Sequence, residues 1–289
     1  MRTIPTVLSI AGSDPGGGAG IQGDLKTFAA LHVHGCAVVT ALTAQDTSGV
    51  RGVWPVPADV VTHQLVTLLD DVEIHAIKIG MLANVSIVRA VAGVLLRFPG
   101  VPVVLDPVLC ATAGGTLLEP EAVRVLLDEL VPLVTLITPN AAEAGILTGA
   151  PAPASPDEAA CVAQLLLASG ATAALVTGGH LDGHATSVDV LATTHALESF
   201  SVTRIAGGGA HGSGCALSSA IAALLAHGST LALACAEAQR FVAQAIRDSG
   251  QLGIGHGVQP VHSLGAMWAA ASSLPAQPSL IADRQKHHD

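Results

Sequence analysis

The sequence predicts an α/β fold in which a mostly parallel central sheet is covered by helices. Short Val/Ile-rich runs alternate with longer Ala/Leu-rich helical patterns over most of the 289 residues, which is the order of consecutive βαβ units. The run VPVVLD is apolar at nearly every position, so both faces of that strand are expected to be buried, as in a parallel sheet. The runs also end in turn or polar residues, where ligands of open α/β sheets bind.

In the first half of the chain, each strand is an apolar run closed by a turn, and helices are the Ala/Leu-rich segments between them. The first strand, 6–11, ends in AGSDPGGG and leads into a helix at 20–31. The elements that follow are a strand at 36–42, a helix at 58–71, a strand at 75–79, a helix at 84–97 and a strand at 102–106, which ends in LDPVLC.

The second half continues the pattern with a helix at 120–129, a strand at 133–137 ending in ITPN, helices at 140–148 and 156–169, strands at 172–177 and 187–192, and helices at 214–226 and 229–248. The turn HGST interrupts the apolar segment 217–236, which therefore predicts two soluble helices and no membrane span. Periodicity is lost after about residue 268, which predicts a mobile tail at 268–289.

Composition narrows the class of ligand. A formal charge of −10 and an aromatic content of 2% argue against nucleic acid, which usually needs basic patches and stacking platforms. The chain has only three lysines, so any phosphate group must be held largely by backbone N–H groups, helix ends, a few arginines or a metal. Five cysteines without a C-x-x-C pair predict reduced thiols and a cytoplasmic location.

The segment from Gly18 to Gly23 matches G-x-G-x-x-G, the pattern of dinucleotide-binding turns. In that pattern the first glycine comes directly after the strand. Here the strand should end near Gly12, and five residues intervene before the triplet begins. Asp46 lies about where a ribose-binding acid is expected, but inside a polar loop. We therefore favour a long glycine loop that lets the backbone approach a small ligand.

A stronger phosphate site is predicted in GGGAHGSGCALSSA, where Gly212, Ser213, Gly214 and Cys215 lead directly into a helix. Small residues expose consecutive N–H groups, and the helix start adds about half a positive charge. The same charge should lower the pKa of the Cys215 thiol, so that it could accept a proton from a substrate hydroxyl. The alternative is a small buried residue in a glycine-rich helix end.

The segment TPNAAEA places Asn140 and Glu143 three residues apart at a helix start. Such a pair commonly caps a helix. It could also hold Mg²⁺ beside nucleotide phosphates, with Asp106 at the end of VPVVLD as a further ligand.

Together these motifs resemble the hydroxymethylpyrimidine/phosphomethylpyrimidine kinases of thiamine biosynthesis, in the ribokinase-like superfamily. The resemblance runs in order from about residue 6 to 262 and includes SIAGSDPGGGAGIQGDLKTF, GCAVVTALTAQDTSGV, KIGML, LDPV, LITPNAAEA, GGH, HGSGCALSSAIAA and GHGVQPVH. It implies a three-layer α/β/α sandwich of about nine strands, formed by a single kinase domain at 1–267. It also implies ATP and Mg²⁺, successive phosphorylation of the aminopyrimidine alcohol to its monophosphate and pyrophosphate, and a small homo-oligomer, a dimer.

The resemblance also implies roles for individual residues. Cys215 matches the family's proton acceptor, and Gly212, Ser213 and Gly214 match its anion hole. Asn140 and Glu143 match the metal-phosphate pair, with Asp106 as a further member. The residues that match the pyrimidine pocket are Gly12, Asp24, Gln45 and Met81. Gln45 would read the aminopyrimidine, because its amide offers an acceptor and a donor pair.

The chain departs from the family pattern at three positions. Thr177 in VTGGH stands where the family usually has a lysine that contacts ATP phosphates, Ala210 replaces a threonine, and Asp46 replaces an asparagine. The first change removes a cation from a site already poor in lysine. Three other functions stay open at this point: a pyridoxal or pyridoxine kinase of the same fold, a non-catalytic pyrimidine-binding regulatory protein, and a dehydrogenase with a dinucleotide fold.

Overall fold

A central sheet of nine strands spans the part of the chain that the computed structural model describes, namely residues 4–110, 117–179, 185–205 and 210–272. Its strands are β1 (Thr6–Ser13), β2 (His34–Asp46), β3 (Gly49–Pro55), β4 (Ala76–Ile79), β5 (Val103–Leu105), β6 (Leu136–Ile137), β7 (Ala173–Val176), β8 (Thr186–Thr193) and β9 (Leu197–Thr203). The spatial order is β3-β2-β1-β4-β5-β6-β7-β8-β9. The pairs among β2, β1, β4, β5, β6 and β7 are parallel, whereas β3, β8 and β9 are antiparallel to their neighbours.

Helices cover both faces of the sheet. They are α1 (Gly20–Ala30), α2 (Ala58–Leu69), α3 (Val85–Leu95), α4 (Pro120–Val125), α5 (Ala141–Thr148), α6 (Pro156–Ala168), α7 (Ser213–Ala226), α8 (Leu231–Asp248) and α9 (Gly265–Ser272). One buried apolar cluster joins the sheet to α2–α6, and a second joins it to α1, α7 and α8. Along β1, Leu8 and Ile10 belong to the first cluster and Val7 to the second, as the alternation of side chains along a strand requires. The α/β/α sandwich is therefore confirmed.

Two strands were not predicted from the sequence. β3 has the sequence GVRGVWP and β9 has LESFSVT; both are half-exposed edge strands in which polar residues interrupt the apolar run. The strand predicted at 133–137 is shorter, because a 3₁₀ turn occupies Val131–Leu133, and the helix predicted at 120–129 changes to a π-helical turn at Leu126. Helix α9 crosses the predicted start of the tail at 268, and residues 273–289 lie outside the described part. Within the described residues, no helix is both long and apolar enough to span a membrane.

The parallel strands bring their carboxyl ends to one edge of the sheet. β1 leads there into the glycine loop before α1, β5 leads into Asp106, and β6 leads into Asn140 at the start of α5. Helix α7 also begins near this edge, since Gly212 packs against the glycine loop at Gly18. Sequence-distant motifs are thereby placed beside one another.

Candidate active site

A cavity of about 980 Å³ lies at this edge of the sheet. Its volume is at the upper end of the range typical of small-molecule sites. Eleven of the predicted site residues line it: Gly12, Gln45, Met81, Asp106, Asn140, Glu143, Thr177, Gly212, Ser213, Gly214 and Cys215. The strand order places the β1–β2 residues at one end of this cavity and the β8–β9 residues at the other. Only Asp24, of the predicted set, is not part of its wall.

The glycine loop after β1 is closed around its own carboxylate. Asp14 Oδ1 accepts a hydrogen bond from the backbone N–H of Gly16 (2.8 Å), and Oδ2 accepts from Gly18 (3.0 Å) and Ala19 (2.8 Å). These amides fall within and beside the G-x-G-x-x-G match, and a dinucleotide pyrophosphate would need such groups unoccupied. The structure thus supports the substrate-loop interpretation and excludes the dinucleotide one.

Gly12, Gln45 and Met81 line the β1–β2 end of the cavity. A Cβ atom on Gly12 would lie 3.0 Å from the Met81 sulfur, so a larger residue there would push this side chain a few tenths of an ångström away. The Met81 backbone is fixed in turn by Thr40 Oγ1, which donates to its carbonyl oxygen at 2.6 Å. Gln45 lies where the pairing of β2 with β3 is irregular. The result is an apolar wall facing an amide.

Asp24 is not a pocket residue, which corrects the prediction. Its carboxylate is fully buried and accepts hydrogen bonds from Ser9 Oγ (2.6 Å), Ser219 Oγ (2.7 Å) and Lys78 Nζ (3.0 Å to each oxygen). The local position of Asp24, early in the helix that follows the glycine loop, had suggested that it reaches the substrate. Instead it points inward, because a buried lysine from β4 needs a counter-ion.

Lys78 is a site residue that sequence reasoning missed. It is fully buried, lines the cavity floor, and lies 4.0 Å from Asp106 Oδ2 as well as against Asp24. Burial alone would lower the pKa of Lys78, but the charges of Asp24 and Asp106 act in the opposite direction, and that pKa is raised overall. The signal in the sequence was a lysine inside a short, otherwise apolar strand, AIKI.

The start of α7 has the features of an anion site. Gly212 has a φ of +83°, and a Cβ there would lie 1.9 Å from the carbonyl oxygen of Gly18, so this position requires glycine. No side chain caps the helix start. A Cβ on Gly214 would meet no atom within 4 Å, so this stretch of backbone is open. N–H groups at such a helix start attract phosphate oxygens.

The Cys215 thiol does not have the lowered pKa that was predicted. Burial raises it to about 12; Lys78 acts against this, while the Asp106 and Asp24 carboxylates add to it. The helix start favours a thiolate, but desolvation beside two carboxylates outweighs it. The Cys215 side chain lies close to the Asp106 carboxylate, and both residues line the same cavity.

Asn140 and Glu143 form the cap of α5. Asn140 Oδ1 accepts from the Glu143 backbone N–H at 3.0 Å, and Glu143 Oε2 accepts from the Asn140 N–H at 3.0 Å. Burial raises the pKa of Glu143 to about 8, and the nearby Asp106 carboxylate adds to the effect. The described residues contain no group of three or more His, Cys, Asp or Glu side chains arranged around a metal. The Glu143 and Asp106 carboxylates repel each other, and such a pair nonetheless fits a cation that takes its other ligands from water and phosphate.

Two residues at the β8–β9 end of the cavity were not predicted from the sequence. Arg204 lines the cavity just after β9 and donates to the carbonyl oxygens of Gly179 (2.7 Å) and Gly178 (3.3 Å). Asp189 on β8 is buried and accepts from the Gly178 N–H at 2.8 Å. Thr177, between these groups and α5, lines the same region. Arg204 and Lys78 are the arginine and the lysine among the described cavity residues.

Comparison with known proteins agrees with this geometry. The family profile described as phosphomethylpyrimidine kinase matches residues 14–262 of the chain. The chain belongs to the phosphomethylpyrimidine kinase family. A hydroxymethylpyrimidine/phosphomethylpyrimidine kinase from Escherichia coli is 46% identical over 268 residues, with 93% of this chain and 100% of that protein covered. The corresponding protein of Rhizobium meliloti is 45% identical over 261 residues, covering 90% and 97%.

Solved structures place this kinase among two groups of vitamin kinases. A Clostridium difficile phosphomethylpyrimidine kinase superposes with a TM-score of 0.74 at 36% identity, covering 84% of this chain and 99% of that one. An ADP complex of Bacillus subtilis pyridoxal kinase superposes with a TM-score of 0.84 at 34% identity, covering 92% and 100%. The ribokinase-like fold implied by the sequence motifs is therefore confirmed.

Proposed function

We propose that this kinase transfers the γ-phosphoryl group of ATP to the hydroxymethyl oxygen of 4-amino-5-hydroxymethyl-2-methylpyrimidine, and then phosphorylates the monophosphate, in thiamine biosynthesis. The observation that carries the proposal is a single cavity that joins the Gln45–Met81 end to the uncapped start of α7. The E. coli and R. meliloti relatives, whose names contain both activities, support the same pair of reactions.

The phosphate end supplies electrostatic stabilisation. As the substrate oxygen attacks phosphorus and the bond to the ADP oxygen breaks, negative charge is spread over the transferred group. The amides from Gly212 to Cys215 would hold that charge without rearrangement. Thr177 has no positive charge to offer the phosphates, and Arg204 supplies one. The Arg204 guanidinium lies beside the Gly178–Gly179 backbone, which directly follows Thr177.

The proton of the hydroxymethyl group must go to a base when the new P–O bond forms. A thiol with a pKa of about 12 is almost entirely neutral at pH 7, so Cys215 cannot act as a preformed thiolate. The nearby Asp106 carboxylate offers a relay: sulfur takes the substrate proton while its own proton passes to that carboxylate. Burial raises the pKa of Asp106, which makes it a better proton acceptor than an exposed aspartate.

Mg²⁺ fits beside Glu143 and the Asn140 cap. Both predicted metal carboxylates already accept hydrogen bonds within the protein: Glu143 Oε2 accepts from the Asn140 N–H (3.0 Å), and Asp106 Oδ2 accepts from Ser218 Oγ (3.3 Å). When bound, the ion would neutralise the β- and γ-phosphate oxygens. The protein's own contribution is to hold a carboxylate at this place through the cap of α5.

Pyridoxal is the second candidate substrate. Pyridoxal kinases from B. subtilis and Staphylococcus aureus superpose with TM-scores of 0.84 and 0.83. The identity to the two bacterial pyrimidine kinases is higher, at 45% and 46% against 34% and 32% for those pyridoxal kinases, and this favours the aminopyrimidine. A non-catalytic pyrimidine-binding protein is disfavoured because the thiol, the helix start and the capped carboxylate share one cavity. A dimeric state and a cytoplasmic location stay predictions.

Replacing Gln45 with leucine tests the substrate assignment. The apolar side chain cannot pair with an amino group and a ring nitrogen, so KM for the aminopyrimidine alcohol should rise at least about tenfold. ATP hydrolysis without pyrimidine should not change, and the exposed Gln164→Leu should behave as wild type in steady-state kinetics. Equal KM values for Gln45→Leu and wild type would contradict the assignment.

A further inference from the structure

Gln45 lies on a part of the sheet that is only two strands wide. The pairing of β1 with β2 ends at Leu42, and beyond that residue β2 pairs with β3 as far as Asp46. A two-stranded hairpin is at best marginally stable by itself. The position of Gln45 relative to the phosphate site therefore depends on what holds the tip of this hairpin.

The tip is held by residues 254–261, which lie between α8 and α9 and are called the strap below. Thr47, in the turn of the hairpin, accepts three hydrogen bonds from the strap. Its hydroxyl oxygen accepts from the backbone N–H groups of His256 (3.2 Å) and Gly257 (3.0 Å), and its carbonyl oxygen accepts from the Val258 N–H (2.9 Å). Thr47 and Val258 both line the cavity, so the strap and the hairpin tip meet at its wall.

The strap is shaped for this contact. The Gln259 amide closes it into a loop, since Oε1 accepts from the Ile254 N–H (3.0 Å) and Nε2 donates to the Ile254 carbonyl oxygen (2.7 Å). A Cβ atom on Gly255 would overlap Thr47 Oγ1, and a Cβ atom on Gly257 would overlap the Thr47 carbonyl oxygen. Glycine at these two positions therefore allows the strap backbone to approach the hairpin tip closely.

The far end of the strap pairs with the residue that precedes the anion site. The His211 N–H donates to the Gln259 carbonyl oxygen (3.1 Å), and the Val261 N–H donates to the His211 carbonyl oxygen (3.0 Å). His211 is followed directly by Gly212, where the anion site begins. The hairpin that carries Gln45 and the start of α7 are therefore joined through the strap.

We propose that Thr47 is a positioning residue, which by binding the strap holds the hydroxymethyl oxygen of the pyrimidine in line with the phosphoryl group at the start of α7. The inference rests on the proposed function, in which Gln45 binds the pyrimidine and the α7 amides hold the transferred group. A displacement of about 1 Å from the attack geometry can cost about a hundredfold in rate. Loosening the hairpin tip should lower kcat, because a pyrimidine bound to Gln45 moves with the hairpin.

The test compares Thr47→Val, which keeps the shape of the side chain and removes the acceptor, with Thr47→Ser, which keeps the hydroxyl. In Thr47→Val, kcat for the aminopyrimidine alcohol should fall at least about tenfold, with little change in KM for ATP or for the pyrimidine. Thr47→Ser should keep a kcat close to that of wild type. ATP hydrolysis without pyrimidine should be equal in all three proteins.

Thr193→Val is the matched control. Thr193 Oγ1 also accepts from two backbone N–H groups, those of His195 (3.3 Å) and Ala196 (2.9 Å), but in the turn between β8 and β9. Its replacement should lower the melting temperature about as much as Thr47→Val does, while kcat stays at the wild-type value.

Gly257→Ala displaces the strap and leaves Thr47 itself unchanged, so it separates the effect of the strap from any direct contact of Thr47 with substrate. The added Cβ would overlap the Thr47 carbonyl oxygen, and kcat should fall as in Thr47→Val.

The outcomes separate the inference from the proposed function. If wild type does not phosphorylate the aminopyrimidine alcohol, the proposed function fails. If wild type is active, the inference alone fails when Thr47→Val keeps the wild-type kcat, when Thr47→Ser loses as much as Thr47→Val, or when Thr193→Val loses as much. If Thr47→Val does not fold, Gly257→Ala decides: a wild-type kcat overturns the inference, and a fall of at least about tenfold with unchanged KM for ATP supports it.

Discussion

Replacing Lys78 with methionine should strongly destabilise the fold, because it leaves the buried Asp24 carboxylate without its counter-charge. Both side chains are fully buried, and the ammonium lies 3.0 Å from each carboxylate oxygen. Removing one partner of such a pair costs about 3–5 kcal/mol. We expect this loss in the free energy of unfolding of Lys78→Met, a fall of two to three orders of magnitude or more in the folding constant.

The double variant Lys78→Met/Asp24→Leu should be more stable than the single one. An apolar pair of similar volume often replaces a buried ion pair at no net cost. Here the hydroxyls of Ser9 and Ser219 lose their acceptor, at roughly 1 kcal/mol each. Asp106 Oδ2 also loses the Lys78 charge 4.0 Å away, in the single and in the double variant alike. The double variant should therefore lose at least about 2 kcal/mol, but less than the sum of the two single losses.

Urea unfolding with linear extrapolation measures these differences, and an unchanged m value shows that the denatured state is comparable. The exposed pair of Arg89 with Glu129 is the control, since Arg89→Met should cost less than about 1 kcal/mol. A loss below about 1 kcal/mol in Lys78→Met, or additive single losses, would refute the reasoning. Asp24→Asn should lower stability while KM for the pyrimidine stays at the wild-type value.

Three further predictions concern catalysis, nucleotide binding and pH. Cys215→Ala should lower kcat by about 10²–10⁴-fold, with little change in KM for ATP or for the pyrimidine. The exposed Cys161→Ala should keep the wild-type kcat. Retention of near wild-type kcat in Cys215→Ala would exclude Cys215 from the proton path. Arg204→Met should raise KM for ATP by about 10–100-fold, because Arg204 lines the cavity. The exposed Arg240→Met is the control and should leave KM for ATP unchanged. An unaltered KM in Arg204→Met would contradict the phosphate contact. Burial raises the pKa of Asp189 from 3.8 to about 6, so the folded state binds this proton more tightly than the unfolded chain. The stability of wild type relative to Asp189→Asn should thus fall by about 2 kcal/mol as pH rises from about 4 to 6, and a flat profile in urea titrations would disprove it.

The parts of the site that were predicted from the sequence are those set by local backbone. The anion site depends on consecutive small residues before α7, and the α5 cap depends on a three-residue spacing, so both can be read from short segments. Motif order then placed Gln45 and Met81 in the same cavity, as the structure confirms.

The errors come from contacts between distant segments. Asp24 points inward because Lys78, 54 residues away, and Ser219, 195 residues away, surround it. The pKa of Cys215 is raised by burial and by carboxylates from other elements, which outweigh the local effect of the helix start. Strands β3 and β9 were missed because their polar positions suit an edge strand that only the finished sheet defines.

The central claim is tested most directly by ADP release from ATP with three acceptors in parallel: the aminopyrimidine alcohol, its monophosphate and pyridoxal. Phosphorus NMR of the products distinguishes a monophosphate from a pyrophosphate. We predict turnover of both pyrimidines, with the monophosphate and the pyrophosphate as products, and a lower kcat/KM for pyridoxal. ADP release with pyridoxal alone, or with none of the three, would contradict the account.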